Sequence, residues 1–249
     1  MTKHLVLPGR YYCRWPLERP RGLQHEEQRF NLDETAFFLI DVYGTGYDDP
    51  NGPAPDFPHL FSEEMFFKQR SVIRERIRPS LDAARAAGLK IIYTSNYWYP
   101  MNWDESEFGL LCYRTEIGWN GTLEETVGGD SNYVAWSEIV KPQPGDFLVN
   151  KTMYDAFFET NMDTLLRNLG VKNLVCVGFT ADICLLNTVI GAMYRNYRVV
   201  VLRDCTLGAE FEDTLSEMRM TWYATRYVEA MVGFTATSEE FITACSSLT

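Results

Sequence analysis

Three residues of this chain have the types and positions to make a nucleophile together. Asp41 closes the apolar run FFLI, Lys151 follows FLVN, and Cys184 lies in the turn GFTADIC that follows NLVCV and opens a helical stretch. A thiol attacks a carbonyl as thiolate, a state it reaches beside a base or a positive charge. Asp41 can accept the proton, and Lys151 can hold the carboxylate and thiolate charges together. A helix starting near Cys184 is expected to lower the thiol pKa further through the positive end of its dipole. Backbone N–H groups exposed at a strand-to-helix turn can receive an oxyanion, so acyl transfer is the reaction this trio suits. Each residue also has a plainer reading. A buried cysteine is usually a small hydrophobe, which is how Cys176 and Cys205 are read. Asp41 alone could cap a turn, Lys151 could be a solvated charge, and Asp182 reads as a helix N-cap. Their shared position at the ends of apolar runs favours function.

The trio meets only if those runs are parallel strands, because ligands bind beyond the carboxyl ends of a parallel sheet. Strands are expected at residues 36–42, 90–94, 147–149, 173–177 and 198–202, all short and rich in β-branched or aromatic residues. Helices are expected at 63–87, 162–168, 183–195 and 211–227, each with apolar residues near helical spacing. Pro79 should kink or divide the first of them. This alternation predicts an α/β fold, doubly wound, with a mostly parallel sheet and helices on both faces. Residues 96–144, aromatic and glycine-rich, read as a large functional loop or lid. Residues 1–34 read as an N-terminal arm that wraps over the domain or a partner subunit, and 35–249 as one α/β domain.

Composition removes other classes. The 46% hydrophobic content supports a core, and 23 Lys and Arg against 34 Asp and Glu leave a net charge of −11, which would repel nucleic acid. No apolar stretch approaches the roughly 20 residues needed to cross a bilayer. The first residues hold no apolar signal core, so a reducing, cytoplasmic compartment with free thiols is expected. The cysteines form no CxxC pair, and the three histidines, His4, His25 and His59, lie in the first quarter of the chain. That spacing offers neither a zinc knuckle nor a redox centre. The glycines Gly44 and Gly46 lack the rest of a dinucleotide fingerprint and read as a tight turn.

The stretch NKTMYDAFFETNMDTLLRNLGVKNLVCVGFTADICLLNT, residues 150–188, resembles the isochorismatase-like cysteine hydrolases, the superfamily of nicotinamidases, N-carbamoylsarcosine amidases and ureidoacrylate amidohydrolases. The likeness runs over residues 35–232 as elements in the family's order. It implies that Asp41 is the proton acceptor, Lys151 the catalytic lysine and Cys184 the nucleophile. It also implies a cis peptide between Phe179 and Thr180, with oxyanion donors at the backbone of Thr180 and Cys184. The chain departs from the family in having DVYGTGYDD where Gln-Asn-Asp-Phe commonly follows the aspartate, so pocket residues there do not carry over. Metal-containing nicotinamidases have histidines after the first two strands. SNYWYP has none and His59 has no partner, so neither a catalytic metal nor a cofactor is expected. Cys184 argues for amide or ureide cleavage, since true isochorismatases cleave an enol ether without it. The resemblance further implies a homo-oligomer, a dimer or tetramer.

The substrate expected is a small, planar amide or ureide, cleaved through a thioester on Cys184 with release of ammonia or an amine. Candidate pocket residues are Asn96, which could hydrogen-bond the substrate, and Tyr43, Tyr97, Trp119, Tyr154 and Phe157, aromatics that could equally pack the core or a subunit contact. Arg114 could bind a carboxylate or be a surface charge. The competing readings are a non-catalytic interaction module on the same fold and a thiol redox protein using Cys184 and Cys205.

Overall fold

The computed structural model describes residues 3–44, 47–54, 62–96, 106–115 and 134–248. The N-terminal residues form an antiparallel hairpin, β1 (His4–Cys13) and β2 (Gly22–Asn31), which joins the sheet edge where Arg10 pairs with Thr235. Next come β3 (Thr35–Ile40), α1 (Glu63–Val72), α2 (Arg78–Ala86), β4 (Lys90–Asn96), α3 (Glu107–Thr115), β5 (Phe147–Lys151), α4 (Met162–Asn168) and β6 (Asn173–Gly178). The chain continues through α5 (Cys184–Tyr194), β7 (Arg198–Leu202), α6 (Arg219–Tyr227), β8 (Phe234–Ala236) and α7 (Ser238–Ser246).

Eight strands make one sheet in the order β2-β1-β8-β7-β6-β3-β4-β5. Every pair from β8 to β5 is parallel, as expected for the doubly wound class. The run TAFFLI explains why β3 is central: all of its residues are buried, so it must be covered on both faces. Phe37 and Leu39 pack on one side with Phe66, Ile77, Leu81 and Phe241. Phe38 and Ile40 pack on the other with Leu166, Cys176, Leu185 and Val189.

The five strands expected from sequence are present: β3 stops at Ile40, two residues short of the expected end, where Asp41 turns left-handed, and β4 to β6 run on by a residue or two. Pro79 lies in the first turn of α2, and a π-helical turn at Ile73–Ile77 separates that helix from α1. Proline lacks the N–H and crowds the carbonyl four residues earlier, which the wider turn accommodates. The helix expected over 211–227 begins only at Arg219, because the Glu210 carboxylate accepts the Met220 and Thr221 amides and sets the start there. The expected loop at 96–144 contains α3, and residues 134–137 clasp the chain after β3: Ser137 N donates to Val42 O, and Gly44 N to Ala135 O.

Candidate active site

The register of three neighbouring strands assembles the site. Ile40 faces Thr94 on one side and Gly178 on the other, and Asn96 faces Lys151. Asp41 therefore leaves the sheet beside the ends of β4 and β6. Its backbone is left-handed (φ 50°), a conformation uncommon for a side-chain residue but tolerated by aspartate, and its amide donates to Thr94 O at 3.0 Å. Gly178 has φ 121°, and a Cβ there would stand 1.9 Å from the Ile40 carbonyl oxygen. Only glycine lets the end of β6 come this close to β3, and it is this approach that delivers the cysteine turn to Asp41.

Lys151 reaches back from the end of β5. Its ammonium stands 2.8 Å from Asp41 Oδ2 and 3.5 Å from Cys184 Sγ, and it also donates to Asn96 Oδ1 and to Met153 O, the latter at 3.1 Å. The Cys184 thiol and the Tyr43 hydroxyl lie close enough to the Asp41 carboxylate to favour its charged form, although neither carboxylate oxygen accepts a well-formed hydrogen bond among the described residues. Acid, ammonium and thiol are 1%, 1% and 9% exposed, so the charges attract one another with little screening by water.

Burial dominates the proton affinities. It raises the Asp41 pKa above the ordinary carboxylate value even though Lys151 pulls it down. Burial would lower the Lys151 pKa and is the largest single influence, but Asp41 and Cys184 together outweigh it and the ammonium is favoured. Burial also pushes the Cys184 thiol well above its usual value, Lys151 offsetting part of this and Asp41 adding to it. Burial thus works against the expected lowering of the thiol pKa and favours the neutral S–H.

The peptide between Phe179 and Thr180 is cis, as the resemblance implied. In the turn that follows, Ala181 N donates to Leu207 O, and Ile183 N and Leu185 N donate to Thr180 O. Among the described residues this leaves the amides of Thr180, Asp182 and Cys184 without a partner, and they include the two oxyanion donors that the resemblance implies, Thr180 and Cys184. The Thr180 hydroxyl is buried and finds no hydrogen-bond partner among them. Asp182 is not the N-cap of α5. Ile183 holds that position, and Asp182 Oδ1 accepts Ala209 N, because the turn is tied to the segment after β7.

The other sequence candidates fall in different places. Tyr43 is buried, bridged to Trp136. Asn96 touches Lys151 directly. Tyr154 is at the surface, with its ring edge-on to Phe108 of α3. Phe157 has a core side chain's contacts, with the Tyr197 ring and the Arg195 guanidinium against it. Arg114 is exposed at the end of α3. Tyr97, Trp119 and His59 lie outside the described residues, as does the whole aromatic stretch 97–103. Cys176 is a buried strand residue, and Cys205, also buried, lies 3.9 Å from Ser80 Oγ; all six cysteines are free thiols. Sequence reasoning missed the Met153 carbonyl, which as a backbone group leaves no compositional trace.

A mostly parallel sheet covered on both faces, with this trio at its carboxyl edge, is the architecture of a doubly wound α/β enzyme of the isochorismatase type. The chain belongs to the isochorismatase family: the isochorismatase-domain model matches residues 62–231, a span that contains Lys151 and Cys184 and begins after Asp41. The chain is 37% identical over 178 residues to the ureidoacrylate amidohydrolase RutB of Agrobacterium fabrum, covering 66% of this chain and 72% of that protein. It is 30% identical over 233 residues to the protein of the same name from Pseudomonas syringae pv. syringae, covering 89% and 87%. In structure it is similar to a cysteine hydrolase from Pseudomonas syringae pv. phaseolicola, with TM-score 0.69 and 21% identity over 88% of this chain and 96% of that one. It is also similar to the N-carbamoylsarcosine amidase of Thermoplasma acidophilum, with TM-score 0.58 and 22% identity over 83% and 97%. At these identities the structural likeness concerns the fold.

Proposed function

We propose that the protein hydrolyses the C–N bond of a small ureide or N-carbamoyl compound, of the ureidoacrylate type, through a thioester on Cys184. The observation that carries this reading is the contact of one buried ammonium with both a carboxylate and a thiol. The names of the curated relatives support the substrate class.

In this reading Asp41 accepts the thiol proton as sulfur attacks the carbonyl carbon. Its raised pKa makes it a stronger base than an ordinary carboxylate, which matters because the thiol holds its proton tightly at rest. Lys151 remains an ammonium throughout and offsets the negative charge that passes between oxygen and sulfur. The tetrahedral oxyanion is held by the Thr180 and Cys184 amides. The C–N bond then breaks, and the leaving nitrogen takes the proton from Asp41. Water, deprotonated by the same carboxylate, attacks the thioester and restores the thiol. Asn96 and Tyr43 border the reacting groups and are assigned to substrate contact, with Tyr154 nearer the surface. Tyr97 and Trp119 complete that assignment from sequence, whereas Phe157, buried in the core, does not join it.

Among the described residues no helix is long and apolar enough to cross a membrane. We assign the enzyme to the cytoplasm, as a homo-oligomer of two or four copies, on the sequence reasoning and the family resemblance.

Ammonia release from a panel of ureides, N-carbamoyl amino acids, nicotinamide and simple amides tests the substrate class. Turnover is expected to be highest on the ureides and N-carbamoyl compounds, and preference for nicotinamide or simple amides would overturn the assignment. The pH dependence of kcat/KM tests the base. Because the Asp41 pKa is raised, the acid limb should lie above the ~3.9 of a free aspartate, activity falling as pH drops through the raised value. An acid limb at or below pH ~4 would assign the base elsewhere.

A further inference from the structure

Away from the thiol site, a cavity of about 350 Å³ opens between β1, the end of β7 and α6, with Arg10, Arg203 and Arg226 on its walls. A guanidinium carries a fork of N–H donors and is never neutral in a protein. Of the side-chain donors on these three arginines, only Arg10 Nε makes a hydrogen bond among the described residues, to Glu229 Oε1 at 2.6 Å. Arg226 Nη1 stands 3.3 Å from Glu229 Oε2 and Arg203 Nη1 stands 3.7 Å from Glu240 Oε2, as ion pairs. Both Nη1 atoms are buried without a hydrogen-bond partner. Buried donors of this kind are costly to leave unmade, and a charged acceptor satisfies them best.

Most of the surrounding acid oxygens are engaged. Glu229 Oε1 accepts from Arg10 and from the Thr235 hydroxyl, while its Oε2, buried without a hydrogen bond, is left to the ion pair with Arg226. Glu240 caps the Thr237 amide, Asp204 holds the Ser238 amide and hydroxyl, and Glu217 pairs with Arg219. Arg203 is held below the usual arginine value, first by burial and then by the charge of Arg10, so the two guanidiniums repel one another across the cavity. The Arg226 guanidinium lies over the rings of Tyr12 and Trp222, at 4.6 and 5.8 Å from their centroids, which holds it in place without using its N–H donors. On a chain of net charge −11, three arginines around one cavity are a local exception.

We infer that this cavity binds a small oxyanion, the phosphoryl or carboxylate group of a metabolite, through the unused donors of Arg10, Arg203 and Arg226. Such a ligand would join the N-terminal hairpin to the sheet and α6, because its three anchors come from those separate stretches. The inference is independent of the thiol site and does not need the proposed hydrolysis.

The test is calorimetric titration of the full chain with inorganic phosphate and, separately, with acetate, at constant ionic strength. Saturable binding is expected for wild type, and Arg226→Lys, which keeps the charge and loses the fork, should weaken it at least tenfold. Arg203→Gln should weaken it similarly. Should that variant fail to fold, the Arg226→Lys comparison decides alone, since Arg226 lies on the outer helix. Tighter binding of phosphate than acetate assigns a phosphoryl ligand, and the reverse a carboxylate. No saturable binding of either anion to wild type, or equal affinity in wild type and Arg226→Lys, overturns the site.

Discussion

Replacing Cys184 by alanine should lower kcat by roughly 10⁴-fold or more, the scale on which an enzyme suffers when its nucleophile is removed. No other described thiol can substitute. Cys176 is in mid-strand and Cys205 faces Ser80, both fully buried. The fold should survive, because the change removes one sulfur atom from a site whose ammonium keeps its bonds to Asn96 and Met153 and its ion pair with Asp41. The expected stability change is about 1 kcal/mol, read as a small shift in Tm with an unchanged circular dichroism spectrum. Near wild-type turnover in a folded Cys184→Ala protein would refute the thioester reading.

Lys151→Met should cost both activity and stability. It leaves the Asp41 carboxylate buried without its counter-charge, and breaking one side of a buried pair costs about 3–5 kcal/mol. Removing both charges with Asp41→Asn and Lys151→Met should recover most of that loss while leaving the enzyme inactive, a non-additivity that denaturant melts of the four proteins measure directly. If the double variant were as unstable as Lys151→Met, the stability loss would belong to packing of the lysine stem and not to charge. The sign of the pH dependence follows from the raised Lys151 pKa. Its contribution is present below the ordinary lysine value of ~10.4 and is lost as pH rises through the higher folded value, so wild type should lose this stability on the alkaline side while Lys151→Met does not. The raised Asp41 pKa has the opposite consequence. The folded state binds that proton more tightly than the unfolded chain does, so the carboxylate's burial opposes folding at neutral pH and favours it as pH falls through the raised value. The pair is therefore a costly arrangement that chemistry explains better than stability does.

Much of the architecture was legible because a central strand of a parallel sheet must be apolar on both faces. TAFFLI, KIIYT, NLVCV and RVVVL announce themselves in any reading. The hairpin strands did not, since GLQHEEQRFN faces water along most of its length and carries no apolar run. β8 spans only Phe234–Ala236, too short for any periodicity. The start of α6 was misplaced because a carboxylate nine residues before the helix, on Glu210, caps it from outside the helical pattern.

The chain's order of residues determined by itself that Asp41, Lys151 and Cys184 follow or close apolar runs; that they share one edge followed once β3, β5 and β6 proved parallel, because side chains that follow strands of common direction leave the sheet on the same side. The folded arrangement alone decided their proton affinities. A thiol beside an ammonium reads as acidic on paper, but the depth at which β6 and β3 close around it removes the water that would stabilise the anion. The same holds for the arginines of the cavity, whose convergence from β1, β7 and α6 no local pattern records, since contact between stretches distant in sequence is set by how the layers pack.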